Sequence, residues 1–167
     1  MKSFSFTIVA SGLNPEAEDF EDRFFAAGCD DATISLVRSR ILLDFDREAK
    51  NLIQAVVSAV RDVERAGARV ERIEPDPLVS ISDIAERSGL TRQAVSLYAR
   101  GERGAGFPAP VARVSSDAPL WDWAEVASWF CRRGKLSAQT AVAARVVAWA
   151  NDGRRAPTVN CVLEVVG

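Results

Sequence analysis

Arg92, Gln93 and Ser96 stand close together in the stretch SISDIAERSGLTRQAVSLYARGER, which runs from Ser80 to Arg103. A guanidinium can donate two parallel hydrogen bonds to guanine O6 and N7, a carboxamide can pair with adenine, and a hydroxyl can serve either base. Such a set is useful only if one element presents it outward near its start, because recognition helices contact bases chiefly through their N-terminal residues. Thr91, immediately before the three, is of a type that caps helix N-termini. Arg100 and Arg103 follow at the far end of the segment, better placed for phosphate oxygens than for base edges.

Two helices must hold this face in place. Ser82 is read as the N-cap of the first, with Asp83 and Glu86 suiting its first turn and Ile84 and Ala85 facing inward. Ser88–Gly89–Leu90 forms the turn, and a second helix runs from Arg92 to about Ala99 with Val95 and Tyr98, or their neighbour Ala94, inward. Ala85 is small where two helices cross closely, and Gly89 takes the left-handed backbone of a short interhelical turn. Val95 then locks the second helix onto the first. Every surface helix has a polar face, so the weight rests on these three offsets occurring together, which is a helix-turn-helix pattern.

Downstream, GERGAGFPAPVARVSSDAPLWDWAEVASWF carries a glycine-rich loop, the segment FPAPVARV, a polar turn SSDA and PLWDW. Pro108–Val114 and Leu120–Trp121 are expected to form a short hairpin. Asp122, with Glu125 three residues on, reads as a capping box opening a helix that presents Val126, Trp129 and Phe130 and stops at Gly134. Over about Val79–Arg133 the chain resembles the winged helix-turn-helix domains of MerR/excisionase-type regulators, through DIAERSGLTRQAVSLYARG, FPAPVARV and LWDWAEVASWF. The resemblance implies that the second helix enters the major groove and the hairpin wing reaches an adjacent backbone or minor groove. It assigns Thr91, Arg92, Gln93 and Ser96 to the groove and Arg113 to the wing, with Phe107, Pro108, Trp121, Trp123 and Trp129 as scaffold. MerR proteins proper place a coiled coil and an effector domain after the winged helix. This chain places a domain before it, so their effector logic does not transfer.

That first half alternates strand and helix. FSFTIVASG (Phe4–Gly12) sets Phe4, Phe6 and Ile8 against polar residues with a period of two. Asn14 and Pro15 read as a helix start, with Ala17, Phe20, Phe24 and Ala27 on one face and Gly28 as the stop. ATISLVRSR and ILLDFDRE read as strands joined by a tight turn near Ser39–Arg40. A helix is expected from about Ala49 to Ala66, with Leu52, Val56, Ala59, Val60 and Val63 buried, and ARVERIEPD supplies a last strand. The order βαββαβ is that of a ferredoxin-like domain with both helices on one face of an antiparallel sheet. Asp44 and Asp46 share one strand face and read as solvated carboxylates.

EPDPL (Glu74–Leu78) interrupts any helix or strand and marks a boundary. The expected fold class is therefore α+β, with a ferredoxin-like domain at 1–74 for dimerisation or partner binding, a winged helix-turn-helix domain at 79–134, and a C-terminal helix and apolar strand at 135–167. Ser137 caps that helix, with Val142, Val146 and Trp149 as its stripe and Gly153 as its end. APTVNCVLEVVG reads as a strand that could add to the first domain's sheet in its own chain or in a second copy.

Composition narrows the function classes. Apolar residues make up 48% and charged residues 26%, as in a soluble globular protein. No run approaches the roughly 18–20 apolar residues of a membrane span, and MKSFSFTIVASG lacks the pattern of a signal peptide. The net charge of −2 hides an asymmetry: Met1–Leu78 carries 15 acidic and 10 basic side chains, and Val79–Gly167 carries 8 and 11. Five arginines and one glutamate lie between Arg87 and Arg113. Three widely spaced cysteines (Cys29, Cys131, Cys161) and no histidine argue against a disulfide framework or zinc site and remove the usual general base.

The chain is thus expected to be a cytoplasmic, non-enzymatic, sequence-specific binder of double-stranded DNA, with no cofactor or metal and acting as a homodimer. Two other readings follow from that first half. One is an antitoxin- or adaptor-like module that uses the winged domain for autoregulation, and the other is a metabolite sensor.

Overall fold

The computed structural model describes residues 1–152. The Gly153 helix stop, the apolar strand APTVNCVLEVVG and its Cys161 lie outside the described residues. The described chain is mixed α+β, and its contacts divide it into two units, Met1–Pro75 with the last helical turn from Trp149, and Asp76–Ala148.

The first unit is a four-stranded antiparallel sheet with two helices. Its elements are β1 (Lys2–Ser11), α1 (Phe20–Ala27), β2 (Ala32–Val37), β3 (Arg40–Ala49), α2 (Leu52–Arg65) and β4 (Arg69–Glu74). The strands lie side by side in the order β2-β3-β1-β4. Alternation decides which side is dry: Phe6, Ile8 and Ala10 of β1 and Ile41, Leu43 and Phe45 of β3 are buried. Phe6 lies opposite Phe45 with the rings stacked at 5.4 Å. α2 covers this side with Ala55, Val56, Val57, Ala59, Val60 and Val63 and packs against β1, β3, β4 and α1. Each buried valine contributes about 1.5–3 kcal/mol by leaving water. On the opposite side Asp44 and Asp46 are exposed and accept hydrogen bonds from Thr7 Oγ1 and Ser5 Oγ, both at 2.5 Å.

Among the described residues, one charged side chain lies in this core. Arg47 continues the buried set of β3 and is only 7% exposed. Its guanidinium donates to both carboxylate oxygens of Asp31 (2.8 Å each), to Asp62 (2.7 Å), to Ser58 Oγ (3.1 Å) and to the Gly28 carbonyl (2.7 Å). Burial opposes its charge, but the two carboxylates outweigh that and raise its pKa. The hydrogen bonds from Arg47 in turn hold the Asp31 carboxyl below its ordinary value.

Local boundaries differ from those expected at three places in this unit. Asn14 caps no helix: its Oδ1 accepts from the Glu16 N–H, successive turns follow, and α1 begins only at Phe20. Ala17 therefore lies in a turn and not on a helical face. Ala49 ends β3, and α2 is capped by Asn51, whose side chain accepts from the Gln54 N–H. The β2–β3 turn is Arg38–Ser39, with φ of 49° and 63° at the two residues. Two consecutive left-handed residues match the twist of a two-residue hairpin.

The second unit contains β5 (Leu78–Val79), α3 (Ile81–Ser88), α4 (Arg92–Ala99), β6 (Trp121–Asp122), α5 (Trp123–Arg132) and α6 (Ala138–Asp152) as far as Ala148. Val79, Ile84, Val95, Trp121, Val126 and Phe130 form the centre of its core, and Ala141 and Ala144 of α6 join the same cluster. The stripe of α6 is thus Ala141, Ala144 and Val147, with Val146 also buried. Val142, expected inward, is 53% exposed. The cap of α3 is Ser80 and not Ser82: Ser80 Oγ accepts from the Asp83 N–H, and the Asp83 carboxylate accepts from the Ser80 N–H at 2.7 Å. The Ser80 hydroxyl also donates to the Asp83 carboxylate at 2.6 Å, and this bond first, then the one from the Ser80 N–H, lowers the Asp83 pKa.

Candidate nucleic-acid interface

Two short helices and one glycine position the residues singled out around Thr91. Gly89 ends α3 in the left-handed region at φ 70°, and a Cβ there would meet nothing within 4 Å, so backbone conformation alone calls for glycine. Thr91 Oγ1 accepts from the Ala94 N–H at 3.1 Å and starts α4. Ile84 and Ala85 on α3 and Val95 and Tyr98 on α4 are buried against each other's side of the turn. Of the rest of α4, Arg92 and Gln93 at its start are exposed and Ala94, Ser96, Leu97 and Ala99 are half-buried.

Arg92 and Gln93, the first two residues of α4, are exposed, and among the described residues neither side chain has a hydrogen-bond or ion-pair partner. Ser96 is half-buried one turn on, and Arg100 is the exposed C-cap. Arg92, Ser96 and Arg100 follow at intervals of four and so share one stripe of the helix. The unbonded N–H groups and positive dipole end at the start of α4 add to the charge of Arg92 there.

The other candidates are placed differently. Arg100 Nε lies 3.0 Å from Glu102, an exposed pair that offsets part of its charge. Arg103 lies past the helix with its guanidinium 5.4 Å from the Tyr98 ring centroid. Arg113 is exposed on a separate loop at φ 51°, and its carbonyl accepts from the N–H and Oγ of Ser116, both at 2.9 Å. The expected hairpin is a single bridge, Ala112 opposite Leu120, because Trp121 pairs instead with Val79 in the β5–β6 ladder. The loop so closed exposes Arg113 together with Val114. Arg87, counted above in the basic stretch, serves the fold: it donates to the Asp76 carbonyl at 2.9 Å and lies over the Trp123 ring.

What anchors α4 from below was not apparent from local pattern. Tyr98, Phe107, Trp129 and Phe130 meet in a cluster of mostly edge-to-face rings with centroids 5.1–6.2 Å apart. The loop between Gly101 and Phe107 is strapped over it. Trp129 Nε1 donates to the Ala105 carbonyl at 3.3 Å, and the Arg133 guanidinium, 3.7 Å above the Trp129 ring, donates to the same oxygen. Gly104 sits at φ 71°, where a Cβ would come within 3.1 Å of Trp129 and 3.3 Å of Tyr98. Tyr98 inward, Trp129 and Phe130 on one helix face, and Phe107 and Trp129 as scaffold were each expected; their convergence in one cluster, with Gly104 and Arg133 strapping the loop to it, was not.

A cleft of about 520 Å³ beside α5 is lined by Asp122, Glu125, Arg132 and Arg145, a mixed set with no single sign of charge. Among the described residues no group of three His, Cys, Asp or Glu side chains could hold a metal ion, and no helix is long and apolar enough to cross a membrane. Compared with family models, with curated proteins and with solved structures, the chain matches none.

Proposed function

We propose that this chain is a sequence-specific binder of double-stranded DNA that acts in transcriptional regulation, with α4 lying in the major groove. The observation that carries the reading is the pair Arg92 and Gln93, exposed and without partners among the described residues, at the first turn of a helix whose other side is locked by Val95, Tyr98 and the aromatic cluster. Rigid presentation of base-reading groups from a helix N-terminus is what direct readout needs. Ser96 completes the base-facing set, Arg100 and Arg103 serve phosphates, and Arg113 on the Ala112–Leu120 loop serves as the contact of a reduced wing. The second unit is then a winged helix-turn-helix domain.

The first unit, in this reading, is a ferredoxin-like domain. Its support is the order β2-β3-β1-β4 with the connectivity βαββαβ. It serves to pair two chains, since one small winged domain buries modest surface on DNA and paired half-sites supply the missing affinity.

The test is fluorescence anisotropy with the DNA upstream of the protein's own gene and a scrambled duplex, at two salt concentrations. Arg92→Ala/Gln93→Ala should lose the preference for the specific site, since each good base contact is worth about 1–3 kcal/mol, and retain weak, salt-sensitive binding. Failure of the native chain to bind any duplex at low salt would overturn the proposal. If it binds without preferring its own upstream DNA, selection from a random duplex library decides, and recovery of no consensus also overturns it.

A further inference from the structure

We infer that the open edge of β2 is a two-fold interface with β2 of a second copy, in which Arg38 of each chain is seated in an acid-lined cleft of the other.

The two edges of the first unit's sheet are built differently. β4 alternates charges along its length, with Arg69, Glu71, Arg72 and Glu74 exposed or half-buried and paired to one another. Its backbone is also closed at Ile73, whose N–H donates to Asn151 Oδ1 at 2.8 Å and whose carbonyl accepts from Asn151 Nδ2 at 2.9 Å. Charge and capping are ordinary defences of an edge against further pairing. β2 has neither. Its residues, ATISLV, are all uncharged, with no proline and no bulge in their pairing with β3.

The register with β3 says which groups are open. Val37 faces Arg40 across the two-residue turn, so Val37, Ser35 and Thr33 direct their backbone groups toward β3. Ile34 and Leu36 then direct theirs outward. The same two residues lie opposite Leu43 and Ile41, the dry side of the sheet, but there the cover runs out: Leu36 is 52% exposed and Phe25 of α1 is 70% exposed. An open ladder and an apolar margin thus coincide along one strand.

Charge selects the occupant. At the Ala32 end of β2 a cleft of about 330 Å³ is lined by Glu21, Asp22, Asp30, Phe25 and Ile34, with no basic residue on its wall among the described residues. At the other end stands Arg38, exposed and without a partner among the described residues. If a second β2 adds antiparallel, Ile34 of each copy meets Leu36 of the other, and each Arg38 arrives at the other's acidic cleft. A two-fold arrangement is self-complementary in this way because one patch supplies both halves. The two sheets become continuous, with the helices on a common side and the apolar margins joined.

This deepens the reading of the first unit as a pairing module, and it is tested without DNA so that its failure leaves the α4 reading untouched. The experiment is sedimentation equilibrium of the full chain over a range of micromolar concentrations. The native protein should be a dimer. Arg38→Asp should weaken it about tenfold or more, as should Asp30→Arg, because each contact occurs twice in the dimer and becomes a like-charge one. The double variant Arg38→Asp/Asp30→Arg should recover most of the native affinity. Both side chains are exposed, and Asp tolerates the positive φ at position 38 at least as well as Arg, so thermal melting should show the fold intact. A native chain that stays monomeric, an Arg38→Asp variant that dimerises as the native chain does, or a charge swap that fails to recover would each overturn the inference.

Discussion

Arg47→Met is expected to destabilise the first unit by about 3 kcal/mol at neutral pH. Methionine replaces the aliphatic stem of Arg47 but none of its five hydrogen bonds, to Asp31 twice, Asp62, Ser58 and Gly28. Asp31 and Asp62 would be left as two negative charges around an apolar side chain. Removing one partner from a buried ion pair costs about 3–5 kcal/mol. The Asp31 and Asp62 side chains keep 28% and 16% of their exposure, so water reaches both and the lower end applies. A pH signature separates this from simple loss of packing. In the native chain Arg47 depresses the Asp31 pKa, so the stability it confers is complete above the unfolded value of about 3.9 and is lost as pH falls through the lower folded value. The substituted chain has no such contribution to lose. The native advantage should therefore be constant from about pH 7 to about pH 5 and shrink as the pH is taken below about 4. Urea unfolding followed by circular dichroism measures it at each pH. A loss below about 1 kcal/mol, the range of an exposed pair, or a difference that does not shrink in acid, would refute the reasoning.

Two further outcomes test the interior of each unit. Gly104→Ala should lower stability by about 1–3 kcal/mol, since it adds a contact at 3.1 Å with Trp129 to the strain of a positive φ, whereas Gly89→Ala, in open space, should cost about 1 kcal/mol. Thermal melts followed by tryptophan fluorescence compare them, and equal losses would mean that the strap over the aromatic cluster yields freely. Cys29 is buried, and that burial, helped by Asp62, pushes its thiol up to about 11. A disulfide reagent near pH 8, followed by peptide mapping, should therefore modify the half-buried Cys131 well before Cys29. Equal rates would place Cys29 in a readily opened region.

Legibility followed the range of the interactions. The period of β1, the stripe of α2, and Ala85, Gly89 and Val95 in the helix pair are set within a few residues, and sequence spacing exposes them. Asn14 misled because its side chain can cap a helix or close a turn on the Glu16 N–H, and the local pattern is the same for both. Ser80 and Ser82 are equivalent as caps by type. The choice falls on Ser80 because Val79 is held in a ladder with Trp121, far along the chain. Arg47 sits on the buried phase of β3, but its charge argues against burial unless Asp31 and Asp62 are known to converge on it. Of the proposed interface, the residue types on α4 were readable, and so was the cap at Thr91. The consumption of Arg87 by Asp76 and Trp123 was not.

The bridge between Ala112 and Leu120 has a consequence for how such a chain can diversify. Residues 113–119 hang from that one pair, almost wholly exposed and held by their own short turns, while the core beneath is complete without them. Closing a loop costs only about 0.6 kcal/mol more for each doubling of its length. Insertions can therefore accumulate there at little cost to folding while α4 and its aromatic footing keep their geometry. The loop is a natural graft point, where reach and chemistry can vary while the rest of the domain stays fixed.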